Sequence, residues 1–363
     1  MLTKIIVTVG PGMESHIEEI FSIAHVARFN FSHANYDYFK YLMRKIRNFN
    51  EDIAFLADLK GPEIRTKNVK TREIRKNQEV VIGEDFEVSY PNIVDYISPG
   101  DLINIDDGRI LLKIIKVHEN KIITKALNDA TLEENKSINI PGRNIEIPAL
   151  TKKDYEDLDF IKRHEFDFIA QSWVKRKEDI IMLKEYIPDV PIIAKIEHQE
   201  AIKNLDEILK ESIGVMIARG DLGIETDIAY LPILQRKIME KAMEHKKISI
   251  IATHFLRSMV YDPIPSRAEV NDIFCAIREK PDAVMLSEET AIGKYPLDAV
   301  KMMKKIIEVA EHYYFGEARE IIKENCTFED VFIESRAKDN IKILCKNSKE
   351  KRKFAIIRGV FSA

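Results

Sequence analysis

The chain has 363 residues, 45% of them apolar and 32% charged, with a formal net charge of −4 and a pI near 6.2. That length exceeds one small domain and suits a large domain with an insertion or appendage. The charge balance provides no global field for nucleic acid or an anionic membrane. Cys275, Cys326 and Cys345 are too scattered for a disulfide framework or a structural zinc site. No apolar run approaches the ~18–20 residues of a bilayer span, and the N-terminus turns polar too soon for a signal peptide. These features predict a cytoplasmic protein.

Short apolar runs recur at 5–9, 26–31, 53–59, 166–170, 191–196, 214–218, 248–252 and 283–286. Runs of this length, bounded by polar residues, read as buried parallel strands. Amphipathic stretches of helical length separate most of them. Thr151 is placed as an N-cap with Asp154 three residues on, and Pro232 and Pro296 sit near the starts of two further helices. Eight strands alternating with helices predict a (β/α)8 TIM barrel.

The rhythm breaks between the third run and the fourth. Residues 67–147 alternate apolar and polar positions and contain turns at Asp106-Asp107-Gly108 and Glu119-Asn120. They read as a separate β-domain inserted after strand three. That loop opens on the catalytic face of a barrel, so the insertion is placed to act as a lid. The predicted division is a barrel over 1–66 and 148–315, a β-barrel-like lid over 67–147, and a short α/β segment over 316–363. The last has apolar runs at 331–333 and 354–357 and a basic stretch at 346–353 that reads as a solvated face.

Barrel chemistry collects at the C-terminal ends of strands. Strand two ends in Arg28-Phe29-Asn30-Phe31-Ser32-His33, where Arg28, Asn30 and Ser32 share one face by alternation. Strand three ends at Asp58, followed by Leu59-Lys60-Gly61-Pro62-Glu63-Ile64-Arg65-Thr66. Strand five supplies Lys195 and Glu197, strand six Arg219, Gly220 and Asp221, strand seven Thr253, and strand eight Ser287-Glu288-Glu289-Thr290. A divalent ion held by Glu197 and Asp221 beside the Lys195 ammonium would make a cationic site for a phosphorylated acid. Taken singly, Lys195 and Glu197 also read as a structural ion pair, Asn30 and Ser32 as strand-edge hydrogen bonders, and Arg65 with Glu63 as a packing pair.

The ordered set of segments from Thr8-Val9-Gly10-Pro11 through Arg28–His33, Lys60–Thr66, Ala194–Glu197, Met216–Gly223 and Ile264–Glu269 to Met285–Tyr295 resembles the pyruvate kinase family over residues 1 to about 315. The resemblance implies transfer of a phosphoryl group from phosphoenolpyruvate to ADP. It implies Mg²⁺ or Mn²⁺ on Glu197 and Asp221, and K⁺ on Asn30, Ser32, Asp58 and the Leu59 carbonyl. Lys195 would neutralise the phosphoryl group in flight, Arg28 would clamp phosphate, and the N–H groups of Gly220 and Asp221 would hold the substrate carboxylate. Thr253 would line the face where the enolate is protonated. Pro11 and Tyr38 would flank the adenine, while Arg65 and the lid residue Lys136 would serve the nucleotide. Glu63 in place of lysine implies K⁺ dependence. The chain departs from the family's usual residues at Leu59, Trp173, His198, His254 and Glu288.

Only part of the family's C-terminal domain has a counterpart here. This predicts no activation by sugar phosphates and a homodimer formed through the barrel in preference to a tetramer. Two other readings differ in class: a metal-dependent lyase (an aldolase or mutase) on a related barrel, and a silent relative that binds phosphoenolpyruvate or nucleotide without turnover.

Overall fold

The computed structural model describes residues 1–325, with side chains up to residue 316. The expected apolar runs at 331–333 and 354–357 lie outside the described residues. Eight parallel strands form a closed barrel: β1 (Lys4–Thr8), β2 (Val26–Asn30), β3 (Ala54–Asp58), β4 (Phe168–Gln171), β5 (Ile192–Ile196), β6 (Gly214–Ala218), β7 (Ile248–Ala252) and β8 (Ala283–Leu286). Each strand pairs with its neighbour in sequence, and β8 closes on β1.

The near-continuous apolar runs reflect burial on both faces. Ile5, Val7, Phe29 and Ile217 face the surrounding helices, while Ile6, Leu56, Phe168, Ile193, Met216 and Met285 fill the barrel interior. Local signals set the helix starts. Thr151 and Asp154 form a reciprocal capping box at the helix Lys152–Lys162, and Ser266 and Glu269 form another at Arg267–Arg278. Pro232 sits in the first turn of Leu231–Glu244. The final helix, Pro296–Asn325, runs past position 315, where the sequence reading ends the barrel, and bends at Phe315, whose backbone is non-helical.

Between β3 and β4 the chain builds a seven-stranded antiparallel-paired sheet and a two-stranded ribbon, with a hydrophobic core of their own. The sheet begins at Ile64, ahead of the position 67 read from sequence. Ile64 pairs with Ile138 and Arg65 with Ser137, and the buried Ile64 belongs to the insert's core. The Asp106-Asp107-Gly108 turn connects Leu102–Ile105 to Ile110–His118, as its composition predicts.

His25, at the foot of β2, accepts a hydrogen bond from the Ile5 N–H at 3.3 Å. Burial, then the charges of Lys4, the N-terminus and Lys304, push its pKa down to about 3. Between that value and the unfolded value near 6.5, the unfolded chain binds the extra proton. Stability is therefore expected to fall as pH drops below about 6.5, by up to ~1.4 kcal/mol per unit. Thermal melts from pH 7 to 4 should show this slope, and a His25→Asn variant should flatten it.

Candidate active site

Three strand ends converge on one buried array. Asp58, at the end of β3, accepts from Arg28 Nε at 2.7 Å through one oxygen and pairs with Lys195 Nζ at 3.2 Å through the other. Lys195, on β5, also meets Glu197 Oε1 at 2.9 Å. Arg28, on β2, donates from Nη1 to Thr8 Oγ1 at 2.8 Å, tying the array to β1. The Asn30–Asp58 register of β2 on β3, and the pairing of β4 with both β3 and β5, bring these side chains together.

The electrostatics explain the arrangement. Burial opposes ionisation of Asp58, but Arg28 and Lys195 outweigh it and hold its carboxyl below the usual range. Burial opposes charge on Lys195 as well. The surrounding Asp58, Glu197 and Asp221 prevail and hold its ammonium well above the ordinary lysine range. Asp221, in the first turn of the short helix Arg219–Glu225 after β6, behaves oppositely. Burial, then the nearby Glu197, with lesser contributions from Glu63 and Asp107, pushes its carboxyl well above the ordinary range.

The Asp221 side chain has no hydrogen-bonding partner among the described residues. Asp58, Glu197 and Asp221 face two cations, Lys195 and Arg28, so the array carries an excess carboxylate. A hard divalent cation fits that excess. Glu197 and Asp221 offer oxygen donors only, and among the described residues no larger cluster of His, Cys, Asp or Glu closes the site. Two carboxylates that leave positions for substrate oxygens suit Mg²⁺.

The expected K⁺ donors also lie at adjacent strand ends. Asn30 Oδ1 accepts from the Ser32 N–H at 3.2 Å, opposite Asp58 in the strand register. The Leu59 carbonyl accepts from Ser172 Oγ at 2.6 Å. These are oxygen donors, as a hard monovalent ion requires.

Thr253 follows β7 in a left-handed backbone conformation, φ 68°, and its Oγ1 accepts from the Gly220 N–H at 3.0 Å. A substrate carboxylate at Gly220 would replace this bond. Arg219 turns away from the Lys195 array. It grips Asp272 through two bonds of 2.9 and 2.8 Å and donates to the Thr253 carbonyl at 2.6 Å, so it braces the Thr253 backbone.

A cavity of about 620 Å³ lies between the barrel and the inserted sheet, lined by His33, Glu63, Arg65, Asp107, Lys136, Trp173, Asp221 and Glu288 among others. Asp221 and Trp173 join it to the array beneath, since the Trp173 N–H donates to Glu197 Oε2 at 2.6 Å. Arg65 is paired with Glu63 at 2.9 and 2.5 Å and donates to the Asn135 carbonyl. The ion-pair reading of Arg65 therefore describes its contacts in this state. Lys136 is held by Glu133 at 2.9 Å and Asp106 at 3.3 Å. Pro11 and Tyr38 do not line this cavity. Pro11 opens the turn Pro11–His16, and the Tyr38 hydroxyl donates to Glu14 at 3.1 Å.

Two residues at the site escaped the sequence reading. Ser172 accepts from Lys195 Nζ at 2.7 Å and donates to the Leu59 carbonyl, so it links the ammonium to the end of β3. It follows β4, and the strand-end rule applied to that strand would have found it. Gly61 was named only as part of a motif. Its φ of 68°, and the 2.9 Å that would separate an added Cβ from the Ser172 Cβ, show that the β3 loop passes too close to Ser172 for a side chain.

Residues 1–300 match the family model described as the pyruvate kinase barrel domain. The chain belongs to the pyruvate kinase family. It is 41% identical to the pyruvate kinase of Methanocaldococcus jannaschii over 87% of this chain and 71% of that protein. It is 39% identical to the pyruvate kinase of Thermococcus litoralis over 86% of this chain and 70% of that protein. The pyruvate kinase of Geobacillus stearothermophilus is 39% identical over 84% of this chain, which there spans 56% of the relative's length.

Proposed function

We propose that this member of the pyruvate kinase family transfers the phosphoryl group of phosphoenolpyruvate to ADP, giving pyruvate and ATP. The observation that carries the reading is the buried Asp58–Lys195–Glu197 array, with Asp221 opening it to the cavity beneath the inserted sheet. Family membership, with matches to several pyruvate kinases, supports it.

In this reading Glu197 and Asp221 hold Mg²⁺ or Mn²⁺, which when bound supplies Lewis acidity to substrate oxygens. Arg28 clamps phosphate as a planar fork. Lys195 sits in a dry, fixed setting and needs no rearrangement to meet charge on the transferring group and on the enolate left behind. Thr253 lines the face on which that enolate takes its proton. Asn30, Ser32, Asp58 and the Leu59 carbonyl hold K⁺. Pro11, Tyr38, Arg65 and Lys136 serve the nucleotide once their present partners give way, and the insert over 67–147 acts as the lid on the barrel of 1–66 and 148–315. The described residues include no helix long and apolar enough to cross a membrane, and the reading places the enzyme in the cytoplasm. The exposed Ile228, Tyr230 and Ile233 near the start of the helix Leu231–Glu244 offer an apolar face for a barrel-to-barrel dimer.

The test is pyruvate release from phosphoenolpyruvate and ADP. Turnover that needs both ADP and Mg²⁺, and stops on chelation, is the expected result. Cleavage of an oxo-acid without ADP would instead identify a lyase. Tight phosphoenolpyruvate binding without turnover would identify a silent relative.

A further inference from the structure

A buried polar cluster fastens the exit limb of the inserted sheet to the barrel, and the proposed chemistry makes no use of it. Asn139 ends the strand Ser137–Asn139 and donates from Nδ2 to Glu225 Oε1 at 2.6 Å; both residues are buried. Asn104, its partner on the adjacent strand, reaches the Ile224 carbonyl at 3.4 Å. Two neighbouring strands of the insert thus land on one helix end. Glu225 is held from the barrel side as well, because Gln199 donates to its backbone carbonyl at 3.0 Å.

The cluster continues along the limb. The His198 Nδ1 accepts from the Glu200 N–H at 3.0 Å, which leaves Nε2 to donate to the Arg143 carbonyl at 3.2 Å. Lys175 donates to the Ile145 carbonyl at 2.6 Å.

Glu225 closes the seven-residue helix whose first turn carries Gly220 and Asp221. At roughly 1.5 Å of rise per residue the helix spans about 10 Å, and its internal hydrogen bonds let it move as one piece. A shift of its first turn therefore appears at its last. We infer that this helix couples the two regions: a ligand engaging its first turn fixes the position of the inserted sheet through Glu225 and Asn139. Glu225 and Asn139 are positioning residues, since neither touches the reacting groups. The consequence for ADP rests on the transfer reaction proposed above, whereas the mechanical coupling does not.

The experiment is hydrogen exchange by mass spectrometry on the full chain, with Mg²⁺ alone and with Mg²⁺ plus phosphoenolpyruvate. It compares the unaltered protein with Asn139→Ala, Glu225→Ala and Glu225→Gln. In the unaltered protein, ligand should slow exchange across residues 137–145 by about tenfold, the scale of one hydrogen bond. Asn139→Ala and Glu225→Ala should abolish that slowing while the barrel strands stay protected. Glu225→Gln, whose amide oxygen still accepts from Asn139, should retain it. Asn139→Ala should also raise KM for ADP about tenfold with a smaller change in kcat. Asn139→Ala leaves the barrel's own hydrogen bonds intact, so the test stands even if Glu225→Ala fails to fold. Slowing that persists in Asn139→Ala, or that is missing from the unaltered protein, overturns the coupling. Intact slowing with no turnover sinks only the proposed reaction.

Discussion

Replacing Lys195 with methionine is expected to lower kcat by about 10³-fold, the scale set by losing one preorganised charge-stabilising group. It should also lower stability by about 3–5 kcal/mol, because removing one member of a buried ion pair strands its partners. The structure specifies both losses. Lys195 Nζ lies 3.2 Å from Asp58 and 2.9 Å from Glu197, and without it Arg28 alone remains to balance Asp58. Lys195→Arg separates the two effects. It keeps the charge, and with it most of the stability, but spreads that charge over a planar fork that does not match a point contact with Ser172 and two carboxylates. Steady-state kinetics beside thermal melts would read both quantities. A Lys195→Met protein that unfolds at lower temperature yet keeps kcat within about tenfold would make Lys195 a structural lysine, since a catalytic group should cost far more.

Exchanging K⁺ for choline is expected to lower activity by about a hundredfold. A unit charge ~6 Å from the reacting groups, at an effective dielectric of about 20, is worth about 2.8 kcal/mol. Glu63 sets this expectation. Its carboxylate takes Arg65 at 2.5 Å and lies 3.8 Å from Lys60, so it consumes cationic charge at the cavity edge and contributes none. It also faces Asp221 across the cavity and adds to the pressure on that carboxyl. Glu63→Lys would reverse the sign at that spot, and activity in choline should recover toward the level in K⁺. Equal activity of the unaltered protein in both salts would remove Asn30, Ser32, Asp58 and Leu59 as a K⁺ site, with the leucine at 59 as the first suspect. Its carbonyl already carries a 2.6 Å bond from Ser172, which leaves one lone pair for an ion.

The barrel was legible because its signals are local. Near-continuous apolar runs such as 214–218 and 248–252 coincide with strands whose residues are buried throughout. Thr151 and Ser266 announce helix starts through reciprocal caps. The strand-end residues were legible because barrel topology aims them at one face whatever lies between them. Ser172 stands at such a strand end too, but its partners were not legible: only the meeting of β4 with the loop after β3 gives it Lys195 and Leu59. The start of the inserted sheet at Ile64 was also out of reach, because pairing with Ser137–Asn139 decides it from far along the chain.

By itself, then, the sequence determined the alternation of strands and helices, the placement of the β-rich insert, and which charged residues stand at strand ends. These follow from periodicity and from chemistry carried by each residue alone. Tertiary structure decided which charges are paired and which are left over. It turns Arg219 onto Asp272, sets Lys195 against Asp58, and leaves the Asp221 side chain without a hydrogen-bonding partner among the described residues. It also places Asn139 against Glu225 across the domain junction. Such pairings depend on distances of a few ångströms between residues far apart in the chain, and on burial that strengthens each charge. Neither quantity exists until the barrel has closed.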